Sequence, residues 1–205
     1  MTRRPSSDRE PFRLLLAGVG GQGILTIARA IGDAALTAGR EVVVGQLHGM
    51  AQRGGSVEAT VLIGLGRSSF IADGAADAVL ALEPLEALRA LPKMSAATTV
   101  VVNLGRVVPY TLAQQGREYP DLDRILAEIR AVAPELITVD GSALAQAAGV
   151  ARSLNIVMLG ALAGLEILPL AGDALWEAVA RRLPAGHLET NRRAFAGGRE
   201  AVKRQ

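Results

Sequence analysis

The feature that most constrains this chain is an apolar run that breaks on a cluster of glycines and resumes as an amphipathic helix. Residues 12–17 are almost wholly apolar, and Gly18-Val19-Gly20-Gly21-Gln22-Gly23 follows at the spacing G-x-G-x-x-G, with Gly21 as an extra. Ile24, Ala28, Ile31 and Ala35 then recur at i, i+4, i+7 and i+11, which puts them on one helical face. Gly39 is placed to end that helix. A strand that feeds a glycine turn and then a helix is the opening of an α/β unit. The first N–H groups of such a helix have no partner within it, and the end carries partial positive charge. An anion, phosphate above all, fits there.

The turn also excludes chemistry. A P-loop requires Lys and Ser or Thr after its last glycine, whereas Ile24-Leu25 follow Gly23. A dinucleotide site places an acid at the end of the second strand, about 20 residues on. Here residues 42–46 form that strand and end on Gln46, with Glu41 at the opposite end. The same glycines would also serve a plain strand-to-helix turn.

Further along, strands are expected at residues 57–63, 76–82, 98–102 and 136–139, with helices between and after them. Val57, Ala59, Val61 and Ile63 alternate with Glu58, Thr60 and Leu62, the pattern of a half-exposed strand, expected to be antiparallel at one edge. The closing third reads as helical at 155–168, 173–183 and 187–203. Strands alternating with helices predict an open, mostly parallel Rossmann-like α/β sheet with helices on both faces and a helical C-terminal region. Residues 1–11 are expected to be a flexible tail and residues 12–205 one domain.

In such sheets ligands bind beyond the carboxyl ends of the strands. The glycine loop, Gln46, His48, Glu83, Asn103 and Asp140 all fall there, Asn103 and Asp140 being favoured as caps. A polar stretch, His48-Gly49-Met50-Ala51-Gln52-Arg53-Gly54-Gly55-Ser56, gathers an imidazole, an amide and a guanidinium on one loop. His48 and Arg53 are the candidates for catalytic contact. Gly18, Gly20, Gly21, Gln22, Gly23, Gln52, Gly54, Gly55 and Ser56 are the candidates for cofactor binding. His187, the other histidine, reads as a surface or packing residue.

Composition removes several classes. The 205 residues contain no Cys, so this chain offers no thiolate for a disulfide, a zinc site or an iron–sulfur cluster. A net charge of +2 and only six aromatic residues argue against a nucleic-acid surface. The longest apolar stretch, residues 156–170, is interrupted by Glu166 and Pro169, which argues against a membrane span. A cytoplasmic protein is the expectation.

Two stretches taken together carry a family resemblance. The glycine run at residues 16–23 and the His48–Ser56 run resemble the gamma subunit or domain of 2-oxoacid:ferredoxin oxidoreductases, the indolepyruvate-type enzymes most of all. Asn155-Ile156-Val157-Met158-Leu159-Gly160-Ala161-Leu162 and Asn191-Arg192-Arg193-Ala194-Phe195 look like the same family. The resemblance implies a non-autonomous subunit of a complex that decarboxylates a 2-oxo acid on thiamine diphosphate with Mg2+. It passes electrons through iron–sulfur clusters to ferredoxin and hands the acyl group to coenzyme A. A larger partner subunit would hold the thiamine diphosphate, the metal and the clusters. The alternative is a stand-alone nucleotide-binding module that uses Gly18–Gly23 on its own.

Overall fold

The computed structural model describes residues 11–48, 54–65, 68–108 and 118–203, and for Leu47 and His48 it describes the backbone alone. Residues 1–10 of the tail expected at 1–11, and Gln52 and Arg53, lie outside the described residues.

Strands β1 (Phe12–Val19), β2 (Val42–His48), β3 (Ser56–Ile63), β4 (Ala78–Ala81), β5 (Thr99–Asn103) and β6 (Leu136–Val139) form one sheet in the order β2-β3-β1-β4-β5-β6. β1, β4, β5 and β6 are mutually parallel neighbours, while β3 runs antiparallel to both β1 and β2. The described helices are α1 (Ile24–Thr37), α2 (Pro84–Arg89), α3 (Leu122–Val132), α4 (Gly141–Ala147), α5 (Leu154–Gly164), α6 (Gly172–Ala180) and α7 (Leu188–Lys203).

Alternation along β1 divides the core. Leu14 and Leu16 face a cluster built with α1, α4, α5, α6 and α7, whereas Leu15 and Ala17 face a second cluster built with α2 and α3. Helices thus cover both faces, which is why β1 is apolar without interruption from Leu14 to Ala17. α5 and α7 touch backbone to backbone: a Cβ on Gly198 would lie 1.9 Å from the Val157 carbonyl oxygen, and one on Gly160 would lie 2.0 Å from that of Phe195.

Two expectations are corrected. β3 is antiparallel but second from the edge, with β2 outermost, and residues 59–63 are buried on both faces. α1 covers one face of β3. On the other, the segment after β3 crosses back, and the Ser69 carbonyl accepts a hydrogen bond from Thr60 Oγ1 at 2.8 Å. The helix expected to reach residue 168 stops at Gly164, and Glu166 takes φ 54°, a left-handed conformation that no helix continues through.

Candidate functional site

The sheet reverses its winding between β1 and β4. The chain leaves β1 through α1 toward β2 on one side, and β4, β5 and β6 follow on the other. The crevice at the carboxyl ends of β1 and β4 is therefore the topological switch point, where open α/β sheets bind ligands. The glycine turn closes β1 there, and Leu82-Glu83 closes β4.

Gln22 stitches the two together. Its Oε1 accepts from the Val19 N–H at 2.7 Å and its Nε2 donates to the Leu82 carbonyl at 3.1 Å. Gly18 leaves room for this side chain, since a Cβ there would sit 2.8 Å from Gln22 Oε1. The Leu82 carbonyl also accepts from Asn103 Nδ2 at 3.0 Å, while Asn103 Oδ1 accepts from the Gly141 N–H at 3.0 Å. Asn103 is thus a buried brace between β4, β5 and the start of α4, a larger role than capping. Asp140 is a cap as expected, accepting from the Ala143 N–H at 3.0 Å.

Gly21 has a different character. Its φ is +101°, nothing lies within 4 Å of where a Cβ would stand, and the residue is exposed. Gly23, at φ +86°, is the N-cap of α1, which has no side-chain cap and no acid in its first turn. An open turn ahead of an uncapped helix of 14 residues is suited to an anion.

The second motif meets the first. The Gly20 N–H donates to the Gly55 carbonyl at 2.8 Å, so the end of the His48–Ser56 stretch lies against the glycine turn. Gly54 is exposed at φ +73°. Ser56 Oγ donates to Glu86 Oε2 at 2.5 Å, and the other oxygen of Glu86 pairs with Arg89 at 3.0 Å. Ser56 and Gln22 therefore have side chains committed to the protein. His48 ends β2 opposite Val57, at the same sheet edge. Gln46 is exposed on β2, and His187 is exposed on a 3-10 turn before α7.

Glu83 is the electrostatic centre of the edge. It is fully buried and caps α2, its Oε2 accepting from the N–H groups of Leu85 at 2.7 Å and Glu86 at 3.1 Å. Its Oε1 accepts from the Val107 N–H at 3.2 Å and from the Tyr119 hydroxyl at 2.5 Å. Burial pushes the Glu83 carboxyl above its ordinary range, against the opposite pull of these donors. Burial, the hydrogen bond to Glu83 and its negative charge push the Tyr119 phenol up as well. Glu58, half-buried on β3, is raised by burial and by repulsion from Glu86, with Lys93 opposing.

Tyr119 and Glu86 were not singled out from sequence, and Asn155 was named only within the stretch that carries the family resemblance. The capping pattern Glu-Pro at 83–84 was a usable signal for the start of α2. Nothing local marks Tyr119 as the partner of Glu83. Among the described residues no group of three metal-binding side chains converges. No described helix is long and apolar enough to cross a membrane.

A mixed sheet with helices on both faces and a glycine turn at its switch point defines a Rossmann-like ligand-binding fold. The family model for pyruvate ferredoxin/flavodoxin oxidoreductase matches residues 13–201, and the chain belongs to that family. It is 42% identical over 187 residues to the indolepyruvate oxidoreductase subunit IorB of Methanothermobacter thermautotrophicus, covering 91% of this chain and 95% of that one. Among solved structures it is similar to the gamma subunit of a keto/oxoacid ferredoxin oxidoreductase from Geobacter sulfurreducens. The TM-score there is 0.69 at 23% identity, over 95% of this chain and 99% of that one. It also resembles a 2-oxoglutarate:ferredoxin oxidoreductase from Magnetococcus marinus, with TM-score 0.73 at 21% identity, over 96% of this chain but 32% of the other. At these identities the two structures speak for the fold. The chain is a subunit of a 2-oxoacid:ferredoxin oxidoreductase.

Proposed function

We propose that this subunit works in a complex that oxidatively decarboxylates indolepyruvate, or another aryl pyruvate, to its acyl-CoA, and that its glycine edge contributes to the coenzyme A face. The observation that carries the reading is the exposed Gly21 turn, at φ +101°, ahead of the uncapped start of α1. That turn offers backbone N–H groups to a phosphate, and coenzyme A is rich in phosphate. The identity to an indolepyruvate oxidoreductase subunit supports the substrate class. In the Magnetococcus marinus protein the matching fold is 32% of a longer chain, which supports a close association with other catalytic parts.

The composition of the chain supports placing the iron–sulfur clusters elsewhere. With no Cys in its sequence, the chain has no ligands for cysteine-held iron–sulfur clusters. The proposal therefore assigns the clusters, thiamine diphosphate and Mg2+ to a larger partner subunit, with ferredoxin reached through it. Within this subunit, Gly20, Gly21 and Gly23 admit the anion, and Arg53 and His48 supply side-chain contacts. A guanidinium holds phosphate or carboxylate through paired bonds. A cytoplasmic location follows from the same reading.

The test is co-expression with the larger subunit. The complex is expected to reduce a viologen dye with indolepyruvate and coenzyme A, and the isolated chain is expected to do nothing. In the complex, Arg53→Ala should raise KM for the oxo acid or coenzyme A by about tenfold or more, the scale of a lost charge-assisted bond. Turnover by the isolated chain, or its binding of NAD or FAD at micromolar concentration, would favour the stand-alone nucleotide-binding module instead.

A further inference from the structure

We infer that Glu86 is a positioning residue of the glycine edge: through Ser56 it holds the Gly54-Gly55 backbone beside Gly20. This rests on the coenzyme A face proposed above and adds to it a residue that does not touch the ligand. Gly54 and Gly55 end the second motif, and neither has a side chain by which its backbone could be fixed. Ser56 is the first residue after them with a side chain, and its Oγ donates to Glu86 Oε2 at 2.5 Å, across 30 residues of sequence. Ser56 stands opposite Val19, the last residue of β1. The next residues outward, Gly20 and Gly55, make the seam between the motifs, N–H to carbonyl at 2.8 Å. A bond from α2 thus sets the point at which β3 begins and the two motifs meet.

The bond is kept against two penalties. Glu86 is 2% exposed, and a carboxylate so buried is unfavourable unless it is paired. Glu58, two residues beyond Ser56 and so on the same side of β3, repels it. Two donors compensate, Ser56 on Oε2 and Arg89 Nη1 on Oε1 at 3.0 Å. An apolar side chain at position 86 would remove both penalties. α2 is already capped by Glu83 and opened by Pro84. A first-turn acid also favours a helix from the solvent side, so α2 does not require this one to be buried near Glu58. The start of β3 does, because nothing on Gly54 or Gly55 can replace the anchor.

The experiment uses the co-expressed complex and reads kcat, KM for coenzyme A, KM for the 2-oxo acid and the melting temperature. Ser56→Ala and Glu86→Met are each expected to raise KM for coenzyme A about tenfold, with kcat and KM for the 2-oxo acid within about twofold of wild type. The double variant should be no worse than either single variant, because both remove the same bond. Glu86→Gln keeps an oxygen for Ser56 and should recover most of the loss. Arg89→Met removes only the contact within α2, and should lower the melting temperature while leaving KM for coenzyme A unchanged. If Glu86→Met does not assemble, Ser56→Ala decides alone. Additive losses in the double variant, or an equal rise of that KM in Arg89→Met, would make Glu86 a stabiliser of α2 and overturn the inference. So would a wild-type KM for coenzyme A in Ser56→Ala when Gly21→Val raises it, and then only the role of Glu86 is lost. If Gly21→Val leaves it unchanged as well, the coenzyme A face itself is misplaced, and the role of Glu86 falls with it.

Discussion

The Tyr119 hydroxyl donates to Glu83 Oε1 at 2.5 Å, across 36 residues of sequence, and the same oxygen accepts the Val107 N–H. One buried carboxylate thus holds the chain on both sides of residues 109–117, at the carboxyl end of β4. The phenol is held protonated well past the ordinary tyrosine range by burial and by the adjacent negative charge. The sequence has two tyrosines. In a Tyr110→Phe variant, ultraviolet titration should show no phenolate at pH 10–11 until the protein unfolds. A normal titration would mean that the Glu83–Tyr119 bond does not persist.

The same pair sets an acid-side prediction. The folded-state pKa of Glu83 is raised above 4.5, so the folded protein holds this proton more tightly than the unfolded chain. Stability from this group is therefore full below pH 4.5 and declines as pH rises through the folded value. Glu83→Gln removes that slope. The wild type should therefore gain urea-unfolding free energy relative to the variant as pH falls toward 4.5. A wild type that loses stability relative to the variant as pH falls would mean the opposite shift.

Gln22 joins β1 to β4 through two hydrogen bonds, so Gln22→Ala should cost about 1–3 kcal/mol by leaving Val19 N–H without its partner. Gln22→Glu keeps an acceptor for Val19 but sets a carboxylate against the Leu82 carbonyl, and should be no better than alanine. Urea denaturation of both variants checks this. Loss of ligand affinity without loss of stability would mean that Gln22 serves the ligand directly.

At Gly198 an added Cβ meets backbone, 1.9 Å from the Val157 carbonyl oxygen. Backbone cannot rotate aside, so α5 and α7 must separate. Gly198→Ala should cost about 1–3 kcal/mol or more and lower Tm by about 4–10 °C. Calorimetry decides, and an unchanged Tm would show the helix pair to be looser than described.

Gly21→Val meets no atom but must hold a β-branched side chain at φ +101°, a strain of roughly 1–3 kcal/mol. Gly39, at φ +69° with equally open surroundings after α1, is the control. Both valine variants should lose comparable stability in thermal melts, and only Gly21→Val should weaken coenzyme A binding in the complex. Equal binding losses would reduce the glycine turn to a structural corner.

Local pattern carried much of this fold. The run at 12–17 and the helical spacing from Ile24 located β1 and α1 closely, and β6 was legible at residues 136–139. Those elements are read from periodicity and punctuation, which are properties of neighbouring residues. The position of β3 was not legible, because alternation reports exposure and says nothing of which strands flank it. Burial of Leu62 and Thr60 depends on a later segment folding back over them. In the site, the glycine spacing announced a turn, but which glycine stays open was decided by Gln22 and Asn155 filling the space beside Gly18 and Gly23. The Glu83–Tyr119 bond could not be read from sequence, since nothing local links residues that far apart.

The reversal of β3 has one more effect. Because β3 starts at the carboxyl edge, where β2 ends, Gly55 stands beside the glycine turn and accepts from Gly20. A helical crossover after β2 would have carried it to the far end of the sheet. The two motifs therefore share a backbone seam, and a chimera that exchanges residues 18–23 or 48–56 keeps it only where the exchanged backbone preserves the Gly20 N–H to Gly55 carbonyl bond.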